Sequence, residues 1–154
     1  VKLATDEIRH MGMYRRHVER LGFSIEDFGV RDWFWERVPA SDGPAGFCAV
    51  LGLGFEGANL DHVAVFAERF RAVGDEEGAR LQEVVGEEEI EHVRFARRWF
   101  TEFAGDDGFD AWRQHLPAPL SPVLMKGPVM AREARLRAGY EESFLEELET
   151  WERR

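Results

Sequence analysis

Residues 75–105 read DEEGARLQEVVGEEEIEHVRFARRWFTEFAG, and their spacing decides the fold. Leu81, Val85, Glu89, His92, Ala96, Trp99 and Phe103 follow one another at steps of three or four, which places all seven on one face of a long helix. Asp75 stands where such a helix needs an N-cap, and Gly105 where it needs a stop. Glu89 and His92 fall inside the apolar stripe instead of on the polar face. A carboxylate turned inward must be neutralised, hydrogen-bonded or bound to a cation, because an isolated buried charge is costly.

The pattern recurs upstream. Glu7-Ile8-Arg9-His10 repeats the Glu-x-x-His spacing of Glu89-Ile90-Glu91-His92, within a helix predicted over residues 1 to about 21. Leu3, Glu7, His10, Tyr14, Val18 and Leu21 share one face of it, and Gly22 ends it. A third helix is predicted over residues 44–73, opened by Ser41-Asp42-Gly43-Pro44. Its inner face carries Ala49, Gly52, Glu56, Leu60, Val63, Ala67 and Phe70. Gly52, Gly54 and Gly57 each lower helix propensity by about 1 kcal/mol, which predicts a bend or a close helix approach near Glu56.

Between the first and third segments, residues 31–37 predict a short helix against the bundle. Its Trp33, Phe34 and Trp35 are candidates to cover a pocket, with aromatic packing as the plainer role. Beyond Gly105, residues 109–116 predict a small helix, Pro117, Pro119 and Pro122 break regular structure, and residues 131–152 predict one or two short helices. No strand alternation or internal repeat occurs. The expected class is all-α, with one domain over residues 1–154: bundle helices and a connecting segment over 1–104, and a C-terminal extension packed on them over 105–154.

Composition narrows the function. The 154 residues are 44% hydrophobic, enough for one core, and the formal charge of -10 disfavours nucleic acid as a partner. Cys48 is the sole cysteine, so no intrachain disulfide or Cys-based metal site can form. No apolar run is long enough to span a bilayer, and residues 1–7 lack the core of a signal peptide. These features predict a soluble, cytoplasmic protein without a membrane partner. The sequence opens at Val1, without Met and directly in a helix, which leaves room for an upstream segment.

Five side chains are the candidate metal ligands: Glu7, His10, Glu56, Glu89 and His92. Carboxylates on several bundle helices with Glu-x-x-His on two of them form the helical solution for a pair of iron or manganese ions. The competing reading makes Glu7 a surface partner of Arg9 or Arg15, and Glu89 part of a solvated run with Glu87, Glu88 and Glu91. Asp6 and Glu88, each preceding a motif Glu, are candidates to orient the imidazole of the opposite motif, against the commoner role of surface acids. Tyr14 reads as a core tyrosine or a hydrogen-bonding neighbour of the site. His17, His62 and His115 lack a Glu three residues earlier and read as surface or core residues, and Cys48 as a small buried side chain.

Through Asp6-Glu7-Ile8-Arg9-His10, Leu21-Gly22, Asp27-Phe28, Glu56, Asn59-Leu60-Asp61, Ala72-Val73-Gly74-Asp75, Glu88-Glu89-Ile90-Glu91-His92, Arg98-Trp99-Phe100, Lys126-Gly127-Pro128 and Arg132-Glu133-Ala134-Arg135, the chain resembles the DUF455 family. That family is placed in the ferritin-like superfamily beside the di-iron tRNA hydroxylases. The resemblance implies a ferritin-like bundle with two iron ions. In it Glu7 and Glu89 bridge the metals, His10 and His92 each end on one ion, and Glu56 is a terminal carboxylate. It also implies an earlier bundle helix carrying one more Glu, for which no residues precede Val1: either the sequence is a piece of a longer chain, which then exposes an apolar groove where that helix belongs, or the site is incomplete.

The first functional expectation is an oxidase or hydroxylase that takes dioxygen and a small substrate of unknown identity. The alternatives are a non-catalytic metal-binding or interaction bundle and a metal-free scaffold. Homo-oligomerisation is compatible with each.

Overall fold

The computed structural model describes residues 2–38 and 41–152. They form an all-α bundle, in chain order α1 (Lys2–Arg20), α2 (Gly43–Phe47), a π-helical segment (Cys48–Glu56) that runs into α3 (Gly57–Ala72), α4 (Glu76–Ala104), α5 (Phe109–Gln114), α6 (Arg132–Arg137) and α7 (Glu142–Thr150). The predicted start of the first helix at Val1 lies outside the described residues. Among the described residues no helix is long and apolar enough to cross a membrane.

α3 and α4 pack along each other and bury Leu60, Val63, Ala67, Val85, Val93 and Ala96. Asp75 caps α4 as expected, its carboxylate accepting from the Gly78 amide. Near Glu56 the expected distortion is a nine-residue π-helix, whose i→i+5 bonding widens the turn. The glycine at 52 has a packing reason: a Cβ there would lie 2.1 Å from the Ala96 Cβ, so only glycine lets this segment touch α4.

α1 runs antiparallel along α4 and is attached differently. Its only fully buried residues are His10 and His17. Leu3, Tyr14 and Val18 are half-buried and Leu21 is exposed, so the predicted apolar face contributes little core. Polar pairs hold α1 instead. At its end, the imidazole of His17 lies 2.8 Å from Asp75, which also pairs with Arg20. Along its middle, the Tyr14 hydroxyl donates to Gln82.

Two expectations are corrected. Residues 32–37 form successive turns and no helix, although Trp33 and Phe34 still pack on Phe55. On α4 the buried face continues through Phe100, while Phe103 is about half exposed. α1 pairs with α4 from His17 at Asp75 to Asp6 at His92, so Phe103 lies beyond its reach.

The C-terminal segment folds back on the bundle around Phe109, Trp112, Tyr140, Phe144 and Leu148, all buried. Its anchor is a buried pair: Arg135 donates twice to Asp61 of α3, at 2.9 and 2.8 Å. The same carboxylate accepts from the amides of Gly127 and Ala131. Lys126 closes the end of α7 by donating to the carbonyls of Leu148, Glu149 and Trp151.

Candidate metal centre

The two Glu-x-x-His motifs face each other across the α1–α4 contact. Because both helices place the Glu and His one turn apart on one face, the antiparallel pairing brings four side chains into a single cluster. The Glu7 Oε1 atom lies 3.4 Å from His10 Nδ1 and 3.1 Å from His92 Nδ1. Glu89 divides its oxygens between the same nitrogens, with Oε1 3.7 Å from His10 and Oε2 3.4 Å from His92. The two rings stand 5.9 Å apart, centre to centre. Both carboxylates thus lie between two imidazole nitrogens. Glu7, Glu89 and His92 each place a ligand atom within 4.8 Å of the other two.

The outer nitrogens are held crosswise. His10 Nε2 lies 2.7 Å from Glu88 on α4, and His92 Nε2 lies 3.2 Å from Asp6 on α1. An ionised carboxylate only accepts, so both Nε2 atoms carry hydrogen, and a neutral ring then turns its Nδ1 lone pair toward Glu7 and Glu89. The roles considered for Asp6 and Glu88 therefore resolve in favour of orienting the opposite imidazole. Arg9 and Lys2 pair with Glu88 and Asp6 on the solvent side.

The inner atoms are unsatisfied. His10 Nδ1, His92 Nδ1 and Glu89 Oε2 are buried and make no aligned hydrogen bond despite their close approaches. Buried polar atoms are nearly always paired, so three unpaired ones in a single cluster leave a place there for a further partner. The donor set of imidazole nitrogen and carboxylate oxygen fits a first-row divalent cation.

The electrostatics agree. The carboxylates of Glu89 and Asp6 push the His92 imidazole up to about 9. Burial, with the negative charge of Glu89, pushes the Glu56 carboxyl up to about 7. Without a metal, the cluster gathers protons to offset its negative charge. A cation held there would supply the same compensation.

The surface alternatives fail for Glu89, which is 4% exposed, while its neighbours Glu87 and Glu91 are exposed and pair with Arg137 and Arg94. For Glu7 the outcome is mixed. Arg9 and Arg15 pair with Glu88 and Glu19 and leave Glu7 to the cluster, but its side chain is 52% exposed. The expectation of a fully inward Glu7 is corrected, for the cluster is open on the side between α1 and α3. Glu56 lies on that open side, half-buried, and together with Glu7 and Glu89 lines a cleft of about 660 Å³. Trp33, Phe34, Trp35 and Phe55 form its apolar wall, with Asn59 and His62 as polar neighbours. Of the two roles left to His17 by the sequence, surface or core, the structure has the second: it is buried against Asp75, seven residues beyond His10.

Known proteins set this geometry in context. A family described as "Protein of unknown function (DUF455)" matches residues 1–146. An uncharacterised protein of Haemophilus influenzae is 24% identical over 143 residues, which cover 91% of this chain and 49% of the relative. The chain spans about half the length of that relative. No solved structure matches the chain. With nearly its whole length accounted for by the match, the chain belongs to the DUF455 family.

Proposed function

We propose that this chain is the metal-binding part of a ferritin-like di-metal carboxylate protein, and that it serves an oxygen-dependent oxidase or hydroxylase. The observation that carries the reading is the placement of Glu7 and Glu89 between the Nδ1 atoms of His10 and His92. In this reading Glu7, Glu89, His10 and His92 would hold two ions between α1 and α4, and Glu56 would add a carboxylate from the cleft. The open side between α1 and α3 is where a further carboxylate, of the kind the family resemblance implies, would approach.

A ferrous pair would supply two electrons to dioxygen, shared over both ions. The protein's residues provide the setting. Asp6 and Glu88 hold each imidazole in the tautomer that presents Nδ1, while Glu89 offers one oxygen to each side. The aromatic wall of the cleft would receive a small, largely apolar substrate beside the carboxylates.

A second reading rests on the tighter group formed by Glu7, Glu89 and His92, whose mutual 4.8 Å spacing suits one cation in a non-catalytic metal-binding bundle. Anaerobic titration with Fe²⁺, followed by metal analysis and measurement of oxygen uptake, separates them. Two ions per chain with iron-dependent oxygen consumption supports the first reading. One ion without oxygen uptake supports the second, and no bound metal rejects both.

A further inference from the structure

The direction in which Glu56 leaves its helix depends on an unusual piece of backbone. Glu56 is the last residue of the π-helical segment, and α-helical bonding resumes in α3. In α-helical register the Gly57 amide would donate to the Leu53 carbonyl. Here it reaches the carbonyls of Gly52, the i→i+5 partner, and Gly54 instead, so the change of register takes from Leu53 its usual donor. A buried carbonyl without a partner is costly, and such a segment relaxes toward α-helix unless another donor is supplied.

Tyr140 supplies it. Its hydroxyl donates to the Leu53 carbonyl at 2.7 Å, from a ring that is 3% exposed. The approach needs the glycine at 57, because a Cβ there would lie 2.4 Å from the hydroxyl oxygen. Burial pushes the hydroxyl up to about 12, so it remains a donor across the physiological range. Its position is fixed from behind. The Tyr140 amide donates to the Arg135 carbonyl, and Arg135 is locked to Asp61. Trp112 reinforces the same segment one turn earlier, its indole N–H donating to the Ala49 carbonyl at 3.0 Å. Two side chains of the C-terminal segment thus bond directly to the backbone that ends in Glu56.

We propose that Tyr140 is a positioning residue for Glu56: by satisfying the Leu53 carbonyl it holds the π-helical register that turns the Glu56 carboxylate toward the cluster of Glu7, Glu89 and His92. The C-terminal segment is then part of the site's machinery as well as a cover for the core. This proposal rests on the metal-centre reading for its consequence, but its structural half stands without metal.

The test uses Tyr140→Phe, which removes one oxygen and keeps the ring, alone and combined with Glu56→Gln. In metal-free protein, amide hydrogen exchange over residues 48–57 should quicken by roughly tenfold in Tyr140→Phe, with α4 unchanged. In a Co²⁺ titration followed by ligand-field absorption, Tyr140→Phe should weaken binding by roughly tenfold, and should add nothing further in the Glu56→Gln background. A structural role alone would lower affinity equally in both backgrounds, and that result overturns the proposal, as does unchanged exchange over residues 48–57. If the unmodified protein takes up no Co²⁺, the metal-centre reading falls, and the exchange comparison alone decides whether Tyr140 holds the register.

Discussion

His10 Nε2 lies 2.7 Å from the carboxylate of Glu88, the residue that immediately precedes the Glu of the opposite motif. Asp6 stands in the same relation to His92, so each helix supplies both a Glu-x-x-His that faces the cluster and the acid that orients its partner's imidazole. Carboxylates that accept from a ligand histidine fix its tautomer and raise its basicity. Glu88→Ala should therefore weaken metal binding by roughly 10–100-fold although Glu88 itself is no ligand in this scheme. Competition titration against a chelator checks this, and unchanged affinity would show that the crossed bonds have no part in binding.

Glu89 and Glu91 separate the proposed ligand from the surface within one helical turn. Glu89 is buried between two imidazoles, whereas Glu91 is exposed and paired with Arg94. Glu89→Ala should remove bound metal, while Glu91→Ala should leave both metal content and thermal stability close to the parent. Elemental analysis of the two purified variants decides it. Equal metal content in both would reject the ligand assignment.

How far the sequence carried this picture depended on the kind of contact involved. The three long helices and the stripe through Leu81, Val85, Glu89, His92 and Ala96 were legible, because burial on one face imposes a period of 3.6. The crossed roles of Asp6 and Glu88 were visible as a candidate pairing, since the two motifs share the order acid, Glu, x, x, His. The π-helical segment was announced only as some distortion, for the glycines at 52, 54 and 57 signal close packing without naming the hydrogen-bond register. The pairs His17–Asp75 and Arg135–Asp61 were not legible at all. Each joins residues more than fifty positions apart and depends on where whole helices come to rest. Phe103 was placed inside because periodicity does not reveal where a neighbouring helix stops covering it.

α1 is held by charge more than by apolar burial, so its docking should depend on pH. The His92 imidazole is raised to about 9, so its stabilising effect is complete below its ordinary value near 6.5 and disappears as pH rises through 9. The Glu56 carboxyl is raised to about 7, so the folded state keeps a proton that the unfolded chain releases near 4.5, and this too costs stability as pH rises toward 7. Both shifts have the same sign. Metal-free protein should lose thermal stability steadily from pH 6 to pH 9, and saturating Fe²⁺ under anaerobic conditions should flatten or reverse that trend, because the cation replaces the protons. Thermal melts across this range, with and without metal, provide the measurement; a metal-free melting temperature that climbs toward pH 9 contradicts the account.

The pair formed by Asp61 and Arg135 carries the largest stability prediction. Both side chains are fully buried, and the Asp61 carboxylate also accepts from the Gly127 and Ala131 amides, so one residue satisfies four donor groups. Asp61→Ala leaves the Arg135 charge buried without its partner and strips both amides of their acceptor. Breaking a buried pair in this way costs about 3–5 kcal/mol. Urea denaturation of metal-free protein should register a loss of that order, together with a weaker hold of the C-terminal segment seen as faster amide exchange over residues 125–140. The double variant Asp61→Leu with Arg135→Met should recover much of the loss, because two apolar side chains leave no buried charge behind. A single Asp61→Ala variant as stable as the parent would mean that Tyr140, Lys126 and the aromatic cluster around Phe144 hold the segment without this pair.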